Sequence, residues 1–277
     1  MFHVTLAGNF VSRTSSSHKP AIFMKISQRF SILLFVLFLF TQLGAQAQND
    51  NRSFFSVTAG YSLPVGELAR EKLNDPFAGL TGSGYYGQVN YDFRIARWFG
   101  LKFSGSMNKN TTRPQPIVDI ADLRVEEIKG FINETSSHTW DTKVSRWKFN
   151  AIMAGPAIFL NFGRVQLEGH VQGGYVKVTS PTVDMVGTFQ SGENQILVHL
   201  SPASTSGLGV GAGASLRLPI AGPLYFHLSG DFLATEAELK NVAVNVRVGN
   251  YPEVGIPINE KRFVGVANIG AGLGISF

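Results

Sequence analysis

Phe263 to Phe277 reads FVGVANIGAGLGISF. Phe263, Ala267, Ile269, Ala271, Leu273, Ile275 and Phe277 fall on one parity, and Val264, Val266, Asn268, Gly270, Gly272, Gly274 and Ser276 on the other. Side chains of a strand leave alternately from its two faces, so this stretch predicts a strand with one apolar face and one face of small or polar residues.

The same period recurs toward the N-terminus. Phe55, Val57, Ala59, Tyr61 and Leu63 alternate with Ser56, Thr58, Gly60 and Ser62; Tyr85, Val89, Tyr91 and Phe93 alternate with Tyr86, Gln88, Asn90, Asp92 and Arg94. Phe99, Leu101, Phe103 and Met107 oppose Gly100, Lys102, Ser104, Ser106 and Asn108. Further strands are expected at 164–175, 207–218 and 224–232, where the polar parity holds Glu168, His170, Arg217, His227, Ser229 and Asp231. Around Arg146 to Leu160 the pattern blurs: Trp147, Phe149, Ala151 and Met153 oppose Arg146, Lys148 and Asn150, while Ile152 and Ile158 interrupt the polar side. Counting that segment, eight strands are expected. Short connections at 95–97, 161–163 and 219–223 alternate with long ones at 64–84, 109–144, 179–205 and 234–262.

Composition narrows the classes. The chain has 277 residues, no cysteine and only 16% charged residues, which excludes disulfide scaffolds, thiolate metal sites and a disordered polyelectrolyte. Met24, Lys25 and Arg29 precede the apolar run Phe30–Phe40 and the small triplet Ala45-Gln46-Ala47, the order of a secretory signal with cleavage near Ala47. The expected organisation is therefore an extension and cleaved signal over 1–47, with Met24 as the true start, followed by one domain over 48–277. Losing Arg13, Lys19, Lys25 and Arg29 lowers Lys+Arg from 24 to 20 against 19 Asp+Glu, so the basic balance belongs to the leader and nucleic acid is not an expected partner. No apolar run is long enough for a spanning helix.

Alternation alone leaves open which face is outside. The polar parity carries Asp92, Arg94, Lys102, Arg146, Lys148, Arg164, Glu168, Arg217 and Asp231, and the apolar parity of the same strands carries no charge. An uncharged face around a whole sheet suits hydrocarbon, where a midplane Lys or Arg costs about 2–4 kcal/mol. Aromatics are expected as two girdles: Phe55, Phe93, Phe99, Phe159, Phe226 and Phe277 at the short-turn rim, and Tyr61, Tyr85, Trp147, Tyr175, Phe232 and Phe263 toward the long-loop rim. The fold expected is all-β, an eight-stranded antiparallel up-and-down transmembrane β-barrel. The alternative is ten strands, because Val242, Val244, Val246 and Val248 alternate, and 182–189 with 195–200 reads as a further hairpin.

With its terminal aromatic, Tyr91-Asp92-Phe93-Arg94, Trp98–Lys102, Ala154-Gly155-Pro156-Ala157 and Gly270–Phe277, the chain resembles outer-membrane β-barrel proteins of diderm bacteria, in particular the small PorT-like branch. The resemblance implies bacterial outer-membrane localisation, contact with outer-membrane lipid and insertion by the barrel-assembly machinery, and implies no particular activity.

An eight-stranded barrel is just wide enough for side chains to fill it, so the inward charges are expected to pair in a closed network, and function moves to the loops. Ala121, Val125, Ile128 and Ile132 form a helical stripe that either packs the loop onto the rim or docks a partner or membrane surface. His227, Ser229 and Asp231 share a face and are similar to the H-x-S pair of outer-membrane lipid A deacylases, although Gly230 replaces the expected Asn; an interior hydrogen-bond network is the ordinary reading. His138, His170 and His199 lack ligand spacing. No catalytic, cofactor-binding or metal residue is assigned, and no cofactor is expected. The functional expectation is a non-enzymatic barrel acting in surface binding, envelope structure or assembly. Alternatives are a small channel or protein-secretion or transport accessory and, third, a lipid-modifying hydrolase.

Overall fold

The computed structural model describes residues 52–69, 80–192 and 194–277; the expected signal and the boundary after residue 47 lie outside them. Among the described residues the strands are β1 (Ser53–Gly66), β2 (Thr81–Ala96), β3 (Phe99–Thr112), β4 (His138–Val144), β5 (Trp147–Phe162), β6 (Val165–Thr179), β7 (Val183–Phe189), β8 (Gln195–Leu200), β9 (Ser204–Ala221), β10 (Leu224–Val248) and β11 (Val254–Ser276), with one α-helix, α1 (Gln115–Ile132). All pairings are antiparallel. β1, β2, β3, β5, β6, β9, β10 and β11 pair in that order, and β11 pairs with both β10 and β1, closing an eight-stranded barrel.

The closing seam joins the two ends of the barrel. The Ser53 amide donates to the Phe277 carbonyl and the Phe277 amide to the Ser53 carbonyl, both at 2.9 Å. At the turn rim, β5–β6 and β9–β10 reverse through Gly163 (φ 61°) and Gly222 (φ 54°), left-handed positions that suit glycine in tight hairpins.

The ten-strand alternative resolves into an extension above the barrel. β10 and β11 run to Val248 and back from Val254, more than twice the ~9–11 residues a tilted strand needs to cross a bilayer. On the far end of β10, Val244–Val248 pairs with β8, which pairs with β7, which pairs with β4. The expected 182–189/195–200 hairpin exists as β7 and β8, but it pairs with β10 and β4, not as a continuation of the barrel strands preceding and following it.

The outer face is apolar as expected over most of the circumference: Phe55, Tyr61, Tyr85, Val89, Val171, Tyr175, Leu208, Phe232, Phe263, Ile269 and Phe277 are exposed. β5 departs from the expectation. Trp147, Phe149, Ala151, Met153 and Phe159 are buried in the lumen, while Arg146, Lys148 and Ile152 face outward. Trp147 and Phe159 are therefore not girdle residues, and Arg146 and Lys148 are not lumen charges. Arg164 lies exposed in the β5–β6 turn. The reversal has a physical reason: a strand apolar on both faces gives no signal of direction, and shifting its assignment by one residue exchanges every side chain between the faces.

Candidate functional site

The turn-side half of the lumen is polar. Inward parity on β2, β3, β6 and β9 brings Asp92, Lys102, Glu168 and Arg217 together, each at most 3% exposed at its side chain. Lys102 Nζ lies 2.8 Å from Glu168 Oε1 and 3.4 Å from Asp92 Oδ1. Arg217 Nη2 donates to Asp92 Oδ2 at 2.5 Å and also to Glu168, and its Nη1 donates to Gln166 at 2.9 Å. Two cations thus face two carboxylates, and Ser215 adds a hydroxyl to Glu168 at 3.0 Å. Such a group is tolerable away from water only when each charge is matched.

Below this cluster the Arg217 guanidinium carbon sits 4.4 Å over the Phe54 ring, and that of Arg94 lies 5.1 Å from Phe54 and 5.2 Å from Phe159. These stacks close the floor of the lumen through ring–cation attraction. The cavity open at the turn rim, about 340 Å³, is lined by Phe54, Arg94, Arg217 and Tyr225.

His227, Ser229 and Asp231 all point into this interior, and each is engaged by a different neighbour. His227 Nδ1 lies 3.1 Å from Thr58 Oγ1, the Ser229 hydroxyl 3.1 Å from the Tyr86 hydroxyl, and Asp231 Oδ1 3.1 Å from His170 Nε2. The three are links in separate cross-barrel bonds, the arrangement of an interior network. Gly213 makes room for one of them: a Cβ there would lie 2.6 Å from Asp231 Oδ1 and 2.8 Å from His170 Cε1. Among the described residues no group of three His, Asp or Glu side chains is placed to hold a metal ion.

The loop-side half of the lumen is apolar, which the sequence reading did not anticipate. Trp147, Phe149, Ala151 and Met153 of β5 pack with Val176 and Val178 of β6, Leu233, Ala237 and Leu239 of β10, Val264 and Val266 of β11, and Leu68 from the β1–β2 connection. The available signal was a change within one parity: Glu168, His170 and Gln172 give way to Val176 and Val178, as Asn268 gives way to Val266 and Val264.

Above the loop rim, α1 and the sheet β10-β8-β7-β4 form a head. Pro114 and Pro116 start the helix, where missing amide donors cost nothing, and Asn133 ends it in the left-handed region (φ 54°). The predicted stripe holds the head together: Val125 is buried against Phe189 and Ile196, with Ile128, Ile132, Trp140, Val198, Val246 and Val248 around it. The stripe packs on the loops' own sheet and not on the barrel rim. Asp122 anchors the helix to β4, accepting from Trp140 Nε1 at 2.6 Å and lying 3.0 Å from His138 Nε2. The His138 hydrogen bond, with help from Trp140, holds the Asp122 carboxyl below its ordinary value. Glu134, accepting from Ser191 at 2.7 Å and from the Ser136 amide at 3.0 Å, is lowered to about 2. His199 pairs with Asp184 at 2.6 Å across β7–β8. Leu123, Phe131, Tyr251 and Val254 remain exposed on the head, with Phe131 and Tyr251 rings 5.4 Å apart.

No protein-family model matches the chain, and no curated protein matches it. Among solved structures it is similar to neisserial surface protein A, at 10% identity over 81% of this chain and 97% of that one, with a TM-score of 0.37. It is similar also to Ail, the attachment invasion locus protein of Yersinia pestis, at 14% identity over 81% and 99% with a TM-score of 0.37. A major outer membrane protein from Thermus thermophilus gives 12% identity over 81% and 99% with a TM-score of 0.39. At these values no residue role passes from those proteins to this chain.

Proposed function

We propose that this chain is an integral bacterial outer-membrane protein whose sealed barrel holds the α1–sheet head on the extracellular side, where it acts in surface binding or envelope structure. In this reading residues 24–47 direct export and are removed near Ala47, the barrel-assembly machinery inserts the mature chain, and the turn rim is periplasmic. The exposed apolar belt supports membrane insertion: Val57, Val89, Val171, Leu208, Val210 and Ile269, on five strands spread around the barrel, need acyl chains around them. The PorT-like relationship belongs to this reading as its family assignment.

The observation that carries the sealed-barrel reading is the filled lumen. A paired charge cluster occupies one half and a packed apolar cluster the other, which supports a lumen closed to water and nutrients. Non-enzymatic action is supported by the separate engagement of His227, Ser229 and Asp231. The head offers Leu123, Phe131, Tyr251 and Val254 as the face for an extracellular ligand or protein. Planar-bilayer recording of the purified protein tests the reading: a quiet membrane is expected, and steady unitary openings would refute it. Unboiled protein is expected to migrate differently from boiled protein on a detergent gel, and coincident bands would remove the barrel from the membrane.

A further inference from the structure

On the outer surface, the loop-rim ends of β3, β5 and β6 carry an unusual charge arrangement. Lys109 and Lys148 are direct cross-strand partners, and both side chains leave the barrel outward. Like charges placed opposite each other destabilise a strand pair. Lys177 partners Asn150, the next outward residue of β5 after Lys148, so it is diagonal to Lys148. Arg146 lies outward at the start of β5 with its guanidinium carbon 5.2 Å over the ring of Tyr85, which itself partners Lys109.

Among the described residues none of Lys109, Arg146, Lys148 and Lys177 has an acidic partner. Elsewhere on the loop rim the chain does match its charges: Lys261 pairs with Glu236 at 2.7 Å and Lys240 with Glu238 at 3.2 Å. Lys109, Lys148 and Lys177 on three adjacent strands, with Arg146 just before β5, therefore lack the kind of anion that the fold supplies to Lys240 and Lys261.

Directly toward the turn rim from this cluster lies a groove of about 730 Å³ on the outer face. Val57, Val89, Met107, Ile152 and Tyr175 wall it, and Lys177 stands at its end. Gly87 and Gly105 contribute no side chain to it, and a Cβ at either would meet nothing within 4 Å. Crowding within the chain does not demand glycine at these positions, and the outer face is left open there.

We infer that this surface binds one phosphorylated lipid, its phosphate between Lys109, Lys148 and Lys177 and an acyl chain along the Gly87–Gly105 groove. The inference rests on the membrane-inserted reading above. Charge chooses the ligand: a phosphate supplies the missing anion, whereas a choline headgroup brings its own cation. Tyr85 and Tyr175 set the depth, since such aromatics sit at the headgroup level: Lys109 is level with its partner Tyr85, and Lys177 lies one outward position beyond Tyr175. Beneath, the groove is apolar and suits a hydrocarbon chain.

The test uses the folded full chain in detergent micelles doped equally with phosphatidylglycerol and phosphatidylcholine of identical chains, with retained lipid counted by native mass spectrometry. Wild type is expected to retain phosphatidylglycerol preferentially. The triple variant Lys109→Gln/Lys148→Gln/Lys177→Gln is expected to lose that retention on the order of a hundredfold, from roughly fivefold per cation at a membrane surface. Lys240→Gln/Lys261→Gln, which removes paired lysines, is expected to keep the preference. Gly105→Leu, tolerated by the open space, is expected to reduce retention by filling the groove. An unchanged preference in the triple variant or equal loss in the paired-lysine control would overturn the site. Gel mobility of each variant reports the barrel separately: a wild type without heat-modifiable mobility fails the membrane reading, while a modifiable barrel without lipid preference fails only the site.

Discussion

Lys102 is enclosed between two carboxylates, 2.8 Å from Glu168 and 3.4 Å from Asp92, so its removal is expected to be felt well beyond one lost bond. Lys102→Met leaves two buried carboxylates with one permanent cation, Arg217, beside the His170 ring 3.2 Å from Glu168, and a cost of about 3–5 kcal/mol is expected in reversible urea unfolding from micelles. Lys102→Met/Glu168→Leu keeps the Asp92–Arg217 pair at 2.5 Å and restores charge balance. It is expected to be less destabilised than the single variant, a non-additivity typical of residues in one network. Gly213→Val tests the space beside His170 and Asp231: its Cβ enters the pair's volume, and loss of about 1–3 kcal/mol by the same unfolding measurement is expected.

At the scale of elements, the head has its own apolar cluster although β10 runs through both head and barrel. Val125 joins α1 to Phe189 and Ile196, so Val125→Asp places an unpaired charge in that contact. Protease cleavage within 115–144 and 183–200 is expected to accelerate at least tenfold, while the heat-modifiable mobility of the barrel persists. Acid is expected to act on the same region through Glu134. Its carboxyl is held down to about 2 from an ordinary 4.5, first by the Ser191 hydroxyl and then by the Ser136 amide. A depressed folded value means the contribution to stability is complete above about 4.5 and is lost as pH falls toward about 2. The Ser136 amide resonance, followed through that window, is expected to lose its hydrogen-bonded shift, and Glu134→Gln to remove the pH dependence.

For the molecule as a whole, two plugs of different chemistry lie in series along one lumen. Phe149→Ala/Met153→Ala thins only the apolar one and is expected to leave bilayers quiet, because the charge cluster below still blocks the path. Conductance is expected only when Lys102→Ser, Glu168→Ser and Arg217→Ser are added to that pair, if the barrel so weakened still inserts with heat-modifiable mobility. Openings from the apolar-plug variant alone would show that the charged half does not seal.

Period-two alternation and the sorting of short and long connections were sufficient for eight barrel strands, a mostly apolar outer face and the inward placement of Asp92, Lys102, Glu168 and Arg217, though not for Arg146, Lys148 and Arg164. Those features are local: a strand bounded by turns and wetted differently on its two sides must display its period in the residues themselves. Which charges meet is not local. Asp92, Lys102, Glu168 and Arg217 come from four strands, and only the closed ring with its register brings them within bonding distance. The direction of β5 was equally beyond the sequence, because Ile152 on one side and Phe149 on the other are both apolar, one meeting the outer surroundings and one the plug. The place of Lys148 beside the outward Lys109 and Lys177 followed from that direction. The stripe on α1 was legible as a helix face, yet its counterpart, a sheet assembled from β4, β7, β8 and the end of β10, exists only through pairings across distant loops. Residue patterns specify the faces of an element; what each face meets is decided by the elements the whole chain brings against it.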